Sequence, residues 1–153
     1  MSYHESDPVG DDEFLLRAIP NSVNYIKQSM QAWRIDPYAF RPNKNRDPDG
    51  MSFFREDFVS RRKVSKACRH PDGARVARLR AKDVRALDVT IKPDPRDDEL
   101  PGHVIIPEMN FAASKDQARR RKIQDLEQKL AALAGEQSLY RPWRLPLPTH
   151  PVK

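Results

Sequence analysis

Tyr38-Ala39-Phe40-Arg41-Pro42-Asn43-Lys44-Asn45-Arg46-Asp47-Pro48-Asp49-Gly50-Met51-Ser52-Phe53-Phe54-Arg55 is the stretch from which the rest of the chain is placed. Two aromatic, β-prone pieces, Tyr38–Phe40 and Met51–Phe54, flank a run of turn formers, and an arginine follows each piece. Asn and Asp side chains bond their own backbone two residues on, and Asp49-Gly50 ahead of an aromatic run predicts a turn leading into a strand over Met51–Arg55. The loop between the pieces is long for a hairpin, so the two need not pair directly.

Working outward, Phe14–Ile19 is an apolar run stopped by Pro20 and reads as a strand entering a core. Asn21 or Ser22 is placed to cap a helical turn carrying Tyr25, Ile26 and Met30 on one side. Downstream, Asp57 is a candidate cap for a basic helix ending near Cys68, and His70-Pro71-Asp72-Gly73 is a turn. Ala74–Leu79 and Val89–Ile91 read as strands, and Ala81–Leu87 as a short helix. His103–Ile106, ended by Pro107, is a strand.

Ser114 with Gln117 has the form of a capping box opening a helix to Ala134, with Gly135 as its stop. Ile123, Leu126, Leu130 and Leu133 then form a stripe spaced 3-4-3. The expected organisation is a flexible N-terminus (1–12), a body (13–110), an amphipathic helix (114–134) and a Pro-rich tail (136–153) containing Trp143. Strands and helices alternate without a βαβ rhythm, so the body is expected to be α+β, with short, mostly antiparallel strands.

The charge is concentrated. Between Arg41 and Arg85 stand fourteen basic residues against six acidic, a net +8, which leaves −2 for the remainder of a chain whose total is +6. A basic surface favours an anionic partner, whatever the fold. Fourteen prolines against five glycines point to turns and extended segments, since proline fixes φ and donates no hydrogen bond. The single cysteine, Cys68, excludes an internal disulfide, and the histidines make no zinc spacing with it. Neither a metal nor a cofactor is expected. Met1–Glu5 lacks a basic and apolar leader and no long apolar run follows, so the chain is expected to be cytoplasmic, without a membrane partner.

Five sets of residues are candidates for binding or chemistry. Arg41, Arg46, Arg55, Arg61 and Arg62 lie among Phe40, Phe53, Phe54 and Phe58; cations beside stacking faces are what single-stranded nucleic-acid surfaces use, while the same residues also suit an apolar core with a solvated basic face. Arg17 interrupts an apolar strand, so it must reach solvent, pair with a carboxylate such as Glu13, Asp49, Glu56 or Glu108, or face a cleft. His103 opens a strand, either as an acid–base group or as a surface residue. The stripe Ile123, Leu126, Leu130 and Leu133 either packs on its own body or associates with a second copy or another protein. Cys68 lies among Lys66, Arg69 and His70 but on the apolar side of its helix, which suits a buried thiol.

Leu16–Pro20, Ala39–Pro42, Asp49–Ser52, Ala81–Leu87 and Pro101–Pro107 together resemble a loose family of small uncharacterised bacterial proteins that share R-x-I-P, F-x-P, D-G-[LM]-S and H-x-x-I in that order. The resemblance covers about residues 14–110. It implies roles beyond chance for Arg17, Phe40, Ser52 and His103, and no particular activity. The order Arg17, Ser52, Glu108 is also similar to that of the NAD-binding residues in the ADP-ribosyltransferase fold, although Phe53-Phe54 follow Ser52 and Glu108 lies beyond Pro107.

The leading expectation is a small basic binding module for an anionic partner, nucleic acid first, with association through the C-terminal helix. The alternatives are an enzyme on a phosphorylated or NAD-like substrate, using Arg17, Ser52, His103 and Glu108, and a protein-binding component of a toxin–antitoxin or defence system. The enzyme requires Arg17, Ser52 and His103 to line one concave pocket.

Overall fold

A computed structural model describes residues 4–22, 25–28, 33–71, 73–97 and 100–136. The Pro-rich tail with Trp143 and the position of Met30 lie outside the described residues. The fold is α+β, a five-stranded antiparallel sheet with helices on both faces.

The strands are β1 (Phe14–Pro20), β2 (Ile26–Gln28), β3 (Trp33–Ile35), β4 (Met51–Arg55), β5 (Ala74–Arg80), β6 (Lys92–Pro93) and β7 (His103–Ile106). The main sheet runs in the order β5-β1-β4-β7-β6, and β2 and β3 form a separate antiparallel pair. The helices are α1 (Arg61–Ala67), α2 (Ala81–Arg85), α3 (Phe111–Lys115) and α4 (Gln117–Glu136).

Period-two alternation distributes the side chains. Leu15 and Ile19 of β1, Met51 and Phe53 of β4, Ala77 and Leu79 of β5, and Val104 and Ile106 of β7 share one buried cluster. Leu16, Ala18, Phe54, Ala74 and Val76 belong to the other face, with Val64 of α1. Both faces are therefore apolar, which is why β1 reads as a continuous hydrophobic run. Its one interruption is Arg17, on the face with Phe53.

Several local expectations change. Tyr38–Phe40 is not a strand. Asp36 accepts a hydrogen bond from the Tyr38 amide (2.9 Å), and Pro37 supplies a fixed φ and no N–H, so Pro37–Phe40 starts a 3-10 turn. Residues 25–28 are extended apart from a turn at Tyr25, rather than helical. Ser60, not Asp57, caps α1, accepting from the Lys63 amide at 3.2 Å. Val89–Ile91 is not a strand; the short edge strand falls at Lys92–Pro93.

The C-terminal helix is broken in two. Asn110 caps α3 through the Ala113 amide (2.7 Å), and Asp116 caps α4 through the Ala118 amide (2.8 Å), so Ser114 and Gln117 form no capping box and the helix passes through Gly135. This helix is not an appendage. Ile123, Leu126 and Leu130 are buried in the main core with Phe40 and Leu79, and Leu133 packs against it. The stripe that suggested association is occupied by the chain's own body.

The N-terminal residues are also docked. Arg55 is fully buried and donates to both oxygens of Glu13 (2.8 Å each) and to the carbonyls of Glu5 (3.1 Å) and Asp7 (2.8 Å). Its guanidinium also lies 4.9 Å from the centre of the Phe58 ring. The Gly102 amide donates to Glu5 Oε1 at 2.6 Å. Arg80 pairs with Asp12, and Arg85 with Asp11 (2.7 Å) and the Val9 carbonyl. Residues 4–13, placed from sequence in a flexible extension and its junction with the body, thus lie against the sheet.

Candidate functional site

The 41–50 loop inserts side chains between two strands. β1 and β4 pair at Leu15 with Arg55 and at Leu16 with Phe54. Beyond that, loop and side-chain groups take up the backbone. Arg46 Nη2 donates to the Ala18 carbonyl (2.9 Å), Arg17 Nη1 donates to the Ser52 carbonyl (3.0 Å), and the Ser52 amide donates to Asp47 Oδ1 (2.8 Å). Gly50 lets the loop close, because a Cβ there would sit 2.8 Å from the Ile106 carbonyl oxygen.

Asp47 is the centre of this insertion. It is fully buried and meets the Arg17 guanidinium fork to fork, at 3.0 and 3.2 Å. Its Oδ2 also accepts from the Asn43 amide at 2.9 Å. Burial alone would raise the Asp47 pKa, but the charge and hydrogen bonds of Arg17 outweigh it, and the carboxyl is held below its ordinary value. Arg17 therefore pairs with a carboxylate, one of the three outcomes open to an arginine in an apolar strand, and that carboxylate is Asp47 rather than Glu13, Asp49, Glu56 or Glu108. Arg46, half buried, has its pKa pushed down to about 10, first by burial and then by the neighbouring Arg17 charge, and stays cationic at neutral pH.

Ser52 and His103 do come together. His103 Nε2 lies 3.1 Å from Ser52 Oγ, and Nδ1 lies 2.9 Å from the Asp94 carbonyl and 3.2 Å from its carboxylate. The order hydroxyl, imidazole, carboxylate is that of a nucleophilic relay. Here it is built into packed sheet: Ser52 is 6% exposed and His103 1%, and the Ser52 hydroxyl donates to the Arg46 carbonyl at 2.9 Å. Phe54 meets the His103 ring edge-on at 5.3 Å. Arg17 is on the opposite face of the sheet from Ser52 and His103. Glu108 is engaged elsewhere, accepting from the Thr90 amide (3.0 Å) and hydroxyl (2.7 Å). Burial alone would raise its pKa, but these bonds from Thr90 prevail and lower it. The four enzyme candidates do not converge on one pocket.

The basic residues meet at the surface instead. Two adjoining hollows, of about 500 and about 540 Å3, share Tyr38, Arg41, Pro42 and Asn43 as a common wall. The first is lined by Arg41, Lys44, Lys115 and Arg120, with Phe111 and one carboxylate, Glu127. The second is lined by Arg17, Arg41, Arg46, Arg69 and His70, with Tyr25 and Tyr38, and, among the described residues, by no carboxylate. Among the described residues the pair forms a groove with seven Lys and Arg against one Glu, the charge of Arg17 being met by Asp47.

Glu127 is 3% exposed and accepts from Arg41 Nε at 3.3 Å. Burial raises its pKa, against the pull of Arg41. Arg41 remains half exposed beside it.

Of the five arginines expected to bind an anion, Arg41 and Arg46 line the groove. Arg55 holds the N-terminal segment, while Arg61 and Arg62 open α1 and line neither hollow; Arg61 is 3.9 Å from Glu56. Phe40 and Phe53 are core, and the aromatic wall is Tyr25 and Tyr38. Lys44, Arg69, Lys115 and Arg120 escaped the sequence reading because only the fold brings residues 44, 69 and 115–120 together. Cys68, read as buried, is partly exposed on the rim of the second hollow.

Among the described residues no three or more His, Cys, Asp or Glu side chains are grouped to hold a metal ion. No described helix is long and apolar enough to cross a membrane. No family model, curated protein or solved structure matches the chain.

Proposed function

We propose that the protein is a small basic binding module that takes an anionic partner, nucleic acid, in the groove across Tyr38 and Arg41. The observation that carries this is the lining of the two joined hollows, where, among the described residues and leaving aside Arg17 with its charge met by Asp47, six Lys and Arg side chains stand against the single carboxylate of Glu127. Such a surface attracts a polyanion over several ångströms and pairs its phosphates by charge-assisted hydrogen bonds. Arg41 and Arg46 are held in place by Glu127 and the Ala18 carbonyl, whereas Lys44, Lys115 and Arg120 are exposed and adaptable.

Binding of this kind releases counterions. Four phosphate contacts on a single strand give a logarithmic slope of about −2.8, so affinity should fall about fifty-fold between about 50 and about 200 mM salt. Fluorescence anisotropy with a labelled oligonucleotide measures it. The paired reversal Lys44→Glu with Arg120→Glu touches only exposed side chains and should abolish binding while leaving the melting temperature in place. Wild-type protein that binds no nucleic acid at about 50 mM salt refutes the proposal.

A further inference from the structure

The wall between the two hollows narrows the partner further, granted the nucleic-acid binding proposed above. Tyr38 is the one large hydrophobic side chain exposed among the described residues, at 38%. It is held in place. Its backbone amide is capped by Asp36, its ring stacks on Tyr25 with centroids 5.1 Å apart, and the Arg41 guanidinium lies 4.7 Å from its centre. An aromatic surface fixed before binding loses little conformational entropy on capture.

Its position matters as much as its rigidity. Because Tyr38 and Arg41 belong to both hollows, cations flank them on either side, Arg46 and Arg69 in one and Lys115 and Arg120 in the other. A duplex presents phosphates outward and keeps its base faces stacked on one another, so it has no use for an exposed ring at the midpoint of the groove. A single strand has phosphates on both sides of a base it can turn out. Base faces stack on aromatic rings and on guanidinium planes alike.

We infer that the groove takes a single-stranded segment, one base stacked against the Tyr38–Arg41 pair and the phosphates before and after it lying on the two cationic hollows. Every base has a π-face, so such binding tolerates sequence.

The test compares a labelled single strand, as DNA and as RNA, with a hairpin duplex of the same length, using wild type, Tyr38→Phe, Tyr38→Ala and Tyr38→Leu. Leucine keeps apolar volume against Tyr25 and guards against a folding defect in the alanine variant. One of the two single strands, or both, should bind more tightly than the duplex. Tyr38→Phe should retain that affinity, and Tyr38→Ala and Tyr38→Leu should lose about 5- to 150-fold, the value of one base–aromatic stack. Their salt slope should match wild type, since stacking releases no counterions.

Equal or tighter binding of the duplex, or an unchanged affinity in Tyr38→Leu, overturns the single-strand inference while leaving nucleic-acid binding intact. A polyglutamate chain that competes as well as the oligonucleotide overturns it also. Absence of binding to every nucleic acid at low salt removes the underlying proposal instead.

Discussion

Asp47→Ala tests whether one loop carboxylate holds the sheet together at its middle. The substitution leaves the Arg17 guanidinium, 2% exposed, without the two oxygens it meets at 3.0 and 3.2 Å. Breaking a buried ion pair from one side costs about 3–5 kcal/mol, because the remaining charge is still desolvated. The amides of Ser52 and Asn43 lose their acceptor as well, which places the expected loss toward the upper end of that range.

A domain of this size has roughly 5–15 kcal/mol of stability, so the variant would retain a folded state with little margin. At about 2–4 °C per kcal/mol the melting temperature should fall by about 8–20 °C. Arg17→Met combined with Asp47→Asn removes both charges and keeps a carbonyl for one amide, and should recover most of the loss. The measurement is thermal and urea unfolding followed by circular dichroism. A shift under about 2 °C for Asp47→Ala, or a double variant no more stable than the single one, refutes the argument.

The same pair sets an acid limit. Asp47 has a lowered pKa in the folded protein, so it binds protons more readily when unfolded. Its contribution is complete above the unfolded-state value of about 4 and is lost as pH falls from there through the folded value. The wild type should lose urea resistance below about pH 4 more steeply than the Arg17→Met, Asp47→Asn protein.

Two other perturbations separate parts of the fold. Leu130→Asp should destabilise the whole domain by about 5 kcal/mol or more, because Leu130 is 1% exposed in the main cluster and a carboxylate there adds a buried charge to the lost apolar contacts; a body that melts normally in this variant would make α4 an independent element. Arg55→Lys keeps the charge but cannot form the forked bond to Glu13, so limited proteolysis should cut near residues 4–10 faster than in wild type, and an unchanged cleavage rate would show that the N-terminal segment is held by other contacts.

Strand identities were legible where local chemistry agreed with the fold. Phe14–Pro20, Met51–Arg55, Ala74–Arg80 and His103–Ile106 are strands because their apolar patterns suit a sheet covered on both faces. Tyr38–Phe40 misled because aromatic content suggests β structure, while the two residues before it, Asp36-Pro37, carry a helix-start signal that prevails locally. The stripe on α4 was legible as apolar but not as to its partner: periodicity marks which residues are buried and says nothing about what covers them. The arginines were the hardest case. Arg46 and Arg55 stand together in sequence as candidate anion binders and Arg17 apart in an apolar strand, yet Arg17 is a buried ion pair, Arg55 a clip on the N-terminal segment, and Arg46 a bridge to the Ala18 carbonyl that lines the groove.

The amino-acid sequence by itself determined that the chain is basic through its middle, that it forms an α+β domain, and that Arg17 inside an apolar strand must reach solvent, a carboxylate or a cleft. Those properties are local or additive, so composition and spacing suffice for them. Tertiary structure decided that the partner is Asp47, that Ser52 and His103 are packed inside the sheet, and that Arg41, Lys44, Arg46, Arg69, Lys115 and Arg120 line one groove. Lys115 and Arg120 share that groove with residues 41–46 because α4 folds back over the Pro37–Phe40 turn, and long-range packing of this kind leaves no periodic trace in the segments it joins.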